Sequence, residues 1–156
     1  MKKGLLLLGL VLITIPCAAK SFKALYSDEI ISAELVVDDN DWVVLTIKNN
    51  SASPIQLLAD KSYYSNVADA MNTLLVPISD QYNPGLKVVP IPIPSGRTIV
   101  QKFAAPAYIS YKKGKIDDID NWTPRNKKKI TTALFDFEYE IDGKVVHFSF
   151  EGNKFS

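Results

Sequence analysis

The chain has 156 residues, with 18 basic against 17 acidic side chains, one histidine and one cysteine. Near-neutral charge excludes a general pull toward nucleic acid or anionic membrane, and a single cysteine excludes an internal disulfide framework. The length suggests one domain, large enough to hold together by its core alone.

Residues 1–19 have the three parts of an export signal: Lys2 and Lys3, then an apolar run from Gly4 to Ile15, then Cys17-Ala18-Ala19. The apolar run is short for a membrane-spanning helix, and Pro16 ends it because proline lacks an N–H and clashes with the preceding turn. Cleavage after Ala19 removes Cys17. The rival is a lipid anchor on Cys17. That signal wants a Leu-like residue three places before the cysteine and a small residue just before it, where this chain has Thr14 and Pro16. The pattern therefore favours soluble export, to the periplasm or outside the cell, with no membrane span after processing. The domain is then 20–156, and its formal charge shifts from +1 to −1 with the loss of Lys2 and Lys3.

After the leader the pattern is period two with frequent turns. "IISAELVVDDNDWVVLTIKN" predicts a hairpin with Ile31, Ala33, Leu35 and Val37 facing the same way as Val43, Leu45 and Ile47. A three-residue loop, Asp38-Asp39-Asn40, would join its strands, with Asn40 in the left-handed region. Shorter strand-like runs follow at Pro54 to Leu58, Thr73 to Ile78, Leu86 to Ile93 and Thr98 to Phe103. "KNNSAS" and "IPSGR" punctuate them, and "YYSNVADAMN" could hold a short helix. The last hairpin is the clearest. Asp142-Gly143 suits a two-residue type I′ turn, which needs positive φ at both positions. Ile141 then faces Lys144, Tyr139 faces Val146, Phe137 faces Phe148 and Phe135 faces Phe150, all on one face. Asp136–Ser149 and Glu138–His147 fall on the other. Turn type and hydrophobic alternation agree on this register.

These signals predict an all-β chain: an immunoglobulin-like antiparallel β-sandwich of about seven to nine short strands, with at most one short helix. "VVLTIKNNSASPIQL" followed by "IPIPSGRTIVQKF" resembles the strand, loop and strand rhythm of immunoglobulin-like domains in bacterial envelope proteins. The resemblance covers about a third of the chain. It implies a fold and carries no functional residue across.

Signals for chemistry are sparse. His147 opposite Glu138 could be half of an acid–base device, but such pairs are far more often polar cross-strand neighbours. No Gly-x-Ser-x-Gly, His-Glu-x-x-His or glycine-rich phosphate loop occurs. No cofactor or metal is expected. The acidic groups Asp38, Asp39, Asp41 and Asp117, Asp118, Asp120 lack calcium-loop spacing and are read as turns.

Two segments suggest interaction instead. Pro90, Pro92 and Pro94 recur at every second residue, which removes three donors from one side of an extended strand. That predicts an edge strand blocked against stray pairing, or an exposed recognition segment. Residues 108 to 129 form a long polar connection without a clean period. It carries Tyr108, Tyr111, Lys112, Lys113, Lys115, Trp122, Arg125, Lys127, Lys128 and Lys129. Aromatic and Arg side chains are common interface anchors, and long loops are enriched in function. The functional expectation is a non-enzymatic interaction module of the cell envelope or periplasm with a protein partner. The alternative is an inhibitor of a secreted or periplasmic enzyme that wedges the proline segment into the active site. A hydrolase built on His147 ranks third.

Overall fold

The computed structural model describes residues 22–37, 42–66, 71–78, 87–106, 109–112, 115–119 and 133–151. Two antiparallel sheets pack as a β-sandwich. The first contains β1 (Phe22–Ser27), β2 (Ile31–Val37), β3 (Val43–Asn49), β9 (Thr98–Ala104) and β7 (Val76–Ile78), side by side in that order. The second is built on β12 (Ala133–Ile141). One side of β12 pairs with β13 (Lys144–Glu151). The other side pairs in succession with β5 (Tyr63–Asn66) and β4 (Ile55–Leu57), which β6 (Met71–Leu74) and β8 (Ile91–Ile93) extend. A separate two-stranded ribbon joins β10 (Ile109–Lys112) to β11 (Lys115–Ile119). The sandwich sheets hold eleven strands, more than the seven to nine expected, because β1 and β5 are added and the Thr73 to Ile78 run divides into β6 and β7.

The final hairpin has the register its turn dictates, from Ile141–Lys144 to Phe135–Phe150. Asp142 and Gly143 lie at φ 49° and 75°, the left-handed pair of a type I′ turn. The β2–β3 hairpin shares one inward face as expected, but Val37 pairs with Val43, so residues 38–42 connect the strands rather than Asp38 to Asn40 alone. Two extra residues preserve parity, and the buried set is unchanged. Asp38, Asp39, Asn40 and Asp41 lie outside the described residues. The helix expected at "YYSNVADAMN" is not formed at its described ends. Tyr63–Asn66 and Met71–Leu74 are paired strands, and Tyr64 is buried while Tyr63 is exposed, as period two requires. A single 3-10 turn, Ala59–Lys61, is the only helical segment longer than one residue among the described residues.

The two inner faces differ in chemistry. The first sheet contributes mainly aliphatic groups, Ile31, Leu35, Leu45 and Ile47, all fully buried. The second contributes Phe135, Phe137, Tyr139, Phe148 and Phe150. Phe137 reaches across to Phe103 of β9, edge to face with ring centroids 5.4 Å apart.

One carboxylate ties the sheets together. Asp28 Oδ1 accepts from the backbone N–H of Ile30 at 2.8 Å and of Ile31 at 2.6 Å. Its Oδ2 accepts from the hydroxyls of Tyr26 and Tyr139, each at 3.1 Å. Burial disfavours the charge, but these four hydrogen bonds outweigh it and hold the carboxyl below the usual carboxylate range. A lowered folded pKa adds stability above the unfolded value of about 3.9, and that stability is lost as pH falls through the folded value. Urea midpoints measured from pH 7 to pH 2 should therefore drop for the native chain below about pH 4. Asp28→Asn should lack that component of the drop and be less stable at neutral pH by about 1–3 kcal/mol. Parallel curves for the two proteins would show that Asp28 does not couple stability to pH.

Candidate interaction surfaces

The connection from 108 to 129 is not structureless. Its first half folds as the β10–β11 ribbon, with Ile109 opposite Ile119, Lys112 opposite Lys115, and a bulge after Ser110. Tyr111 and Lys112 stand on β10, and Lys115 opens β11. Asp117 and Asp118 also belong to β11 rather than to a turn. A bulge shifts the alternation by one residue, which hides a short ribbon from a period-two reading. Tyr108, Lys113, Asp120, Trp122, Arg125, Lys127, Lys128 and Lys129 lie outside the described residues.

The proline segment lies where its chemistry demands. β8 is an edge strand, with Ile93, Pro92 and Ile91 opposite Ile55, Gln56 and Leu57 of β4. The strand is shorter than the Leu86 to Ile93 run suggested. Residues 87–90 form no strand, and there Val89 is 60% exposed. After β8, Pro94 to Arg97 turn back toward the first sheet, closed by Arg97 N–H donating to Pro94 O at 3.1 Å.

His147 is exposed on the outer face of β13. Glu138 stands opposite it in register, but the imidazole Nε2 meets Asp136 Oδ1 at 3.0 Å, one diagonal step along β12. Diagonal neighbours lie within reach of longer side chains. Among the described residues no group of three or more His, Cys, Asp or Glu is placed to hold a metal ion.

One surface was not legible beforehand. The outer face of β1, β2, β3 and β9 is concave, with a shallow cavity of about 600 Å³. Register aligns Leu25, Glu34, Thr46 and Val100 in one row across it, and Ser27, Ser32, Lys48 and Thr98 in the next. Leu25 and Val100 are 69% and 64% exposed. The face is mainly basic, through Lys23, Lys48 and Lys102, with Glu34 paired to Lys23. The opposite outer face carries Asp136, Glu138 and Glu140. The clue was "FKALYS", whose Leu25 is out of phase with the inward Ala24 and Tyr26. It has meaning only once β1 is known to be a strand.

Among the described residues no helix is long and apolar enough to cross a membrane. Comparison with family models, curated proteins and solved structures finds no match to this chain.

Proposed function

We propose that the protein is an exported binding module of the periplasm or cell envelope, and that the segment from Tyr108 to Lys129 carries its contact with a protein partner. The observation behind this reading is that, among the described residues, β10 and β11 pair with each other and with neither sandwich sheet. The ribbon adds no strand to the core sheets, yet its segment concentrates seven basic side chains and three aromatics. Local positive charge of this kind steers an acidic patch on a partner, and screening limits its reach to roughly 8 Å at physiological ionic strength. Trp122 is the expected anchor, with Lys127, Lys128 and Lys129 mainly setting the association rate.

The test is co-purification from envelope extract, then affinity and thermal unfolding for Trp122→Ala, for a Lys127, Lys128, Lys129 charge-neutralised variant, and for Leu25→Glu on the concave face. Weaker binding in the first two, with the fold intact, is the expected result. Loss in Leu25→Glu alone would move the contact to the β1–β2–β3–β9 face. Export carries its own prediction: the mature protein begins at Lys20 and is unlipidated, and intact mass would reveal acyl chains on Cys17 if it were otherwise.

The inhibitor reading has one supporting observation. Residues 87–90 lead into the proline-blocked edge with Val89 exposed while Val88 packs against the core, and beyond β8 the Ser95 hydroxyl donates to Ser51 O at 2.6 Å. A partner enzyme whose turnover falls on binding, and recovers with Val89→Glu, would favour it.

A further inference from the structure

The edges of the second sheet are treated unequally. β8 is three residues long and flanked by Pro90 and Pro94 around Pro92, and β6 has only four residues. In the first sheet, edge β7 is three residues centred on Pro77. Short strands and prolines suppress pairing with other chains. β13 has neither device: it runs eight residues, without proline or glycine, and pairs with β12 throughout. Edge β1 is also unblocked by proline, but it is shorter, with six residues.

The backbone direction of β13 follows from one hydrogen bond. The Glu138 carbonyl accepts from Leu58 N–H at 2.8 Å, on the side of β12 away from β13. Glu138 and His147 are directly opposed. In an antiparallel pair, opposed residues either bond each other or both point away. His147 therefore turns its N–H and C=O to the outer edge, and period two gives Val145 and Ser149 the same direction. Among the described residues no strand pairs with that edge.

We propose that β13 is a dimerisation edge, pairing antiparallel with β13 of a second copy of this chain. With Ser149 on the two-fold axis, His147 stands opposite Glu151 of the partner subunit, twice, and Phe148 opposite Phe150 of the partner subunit. An imidazole can hydrogen-bond a carboxylate across such a pair, and aromatic pairs are favourable cross-strand combinations. A strand that is complementary to itself suits the isologous contact of a two-fold dimer. The near-neutral chain offers little net repulsion between copies. Phe148 and Phe150 are already 2% exposed, so the contact gains backbone hydrogen bonds more than apolar burial. A reversible dimer follows. It is independent of the ribbon and of any export partner.

Sedimentation equilibrium of the mature chain, up to roughly millimolar concentration, tests this beside two variants. Ser149→Pro removes one outward N–H and no bond to β12. His147→Glu keeps every backbone bond and sets like charges opposite each other. The expected result is a reversible dimer, weakened at least about tenfold in each folded variant, with slowed amide exchange at His147 and Ser149 in the dimer alone. If Ser149→Pro fails to fold, His147→Glu decides. A chain that stays monomeric throughout, or a dimer that neither folded variant weakens, overturns the proposal.

Discussion

Phe137→Ala should destabilise the protein by about 3–5 kcal/mol, the usual cost of removing a buried phenylalanine together with the cavity it leaves. Phe137 is fully buried at the centre of an aromatic cluster. Phe148 stacks on it at 5.5 Å, Phe150 meets it edge-on at 6.1 Å, and Phe103 touches it from the opposite sheet at 5.4 Å. Truncation removes the partner of rings in both sheets at once, and rigid aromatic neighbours collapse poorly into the space. Phe148→Ala should cost a similar amount, since Phe148 also supports Tyr26 of β1 at 5.3 Å. His147→Ala, one residue away but facing outward, removes only a surface contact to Asp136 and should cost under about 1 kcal/mol. Urea unfolding of the three variants checks the face assignment. Equal losses would mean that the outward and inward sets of β13 have been exchanged.

The strength of that prediction reflects what local sequence controls. The β12–β13 register was legible because a turn with a strict φ requirement and seven alternating apolar positions demand the same pairing. The β2–β3 faces were legible for the same reason, even though the loop length was not, since any change by two residues leaves them intact. β1 was missed because Ala24 is small and the alternation around it weak. β4, β7 and β8 fall inside the strand-like runs expected at Pro54 to Leu58, Thr73 to Ile78 and Leu86 to Ile93, but are shorter than those runs. At the described ends of "YYSNVADAMN", burial of Tyr64 against Phe135, with centroids 5.1 Å apart, favours strand over the helix expected from composition. Strand order was not legible at all. The pairing of one side of β12 with both β5 and β4 joins residues far apart in sequence, and no local pattern encodes it. Among the candidate contacts, the proline edge was legible because proline acts through its own backbone. The concave face was not, because it exists only when β9, from a distant segment, lies beside β1, β2 and β3.

The punctuation "KNNSAS" and "IPSGR" has a consequence that its turn chemistry alone did not reveal. Asn49 is fully buried where the chain twice passes between the sheets, from β3 to β4 and from β8 to β9. Its Nδ2 donates to Ser53 O at 2.8 Å and to Ile93 O at 3.0 Å. Its Oδ1 accepts from Ser51 N–H at 2.9 Å and from the Ser51 hydroxyl at 2.7 Å. The backbone is fastened as well, since Asn49 N–H donates to Arg97 O and its carbonyl accepts from Gly96 N–H, both at 2.9 Å. Gly96 lies at φ 69°, in the region where glycine carries no Cβ penalty. Every polar atom of the amide is used, and it fastens both crossings from a buried position. Asn49→Ala should cost about 3 kcal/mol, because it strips partners from buried groups, each worth roughly 1–3 kcal/mol when left unsatisfied. It should also loosen β8, read as faster amide exchange at Ile91 and Ile93. Asn49→Asp separates the donor role from shape. The carboxylate keeps the two bonds from Ser51 but turns an oxygen toward the carbonyls of Ser53 and Ile93. Charge there is disfavoured, so the folded pKa of that carboxyl should rise above its unfolded value of about 3.9. The penalty is then greatest above the folded pKa and shrinks as pH falls through it, since the protonated acid can donate to one carbonyl. Urea midpoints of Asn49→Asp should approach the native value on acidification, while those of Asn49→Ala stay below it. If both variants lost stability equally at every pH, the amide would be acting by its volume and not by its two donated hydrogen bonds.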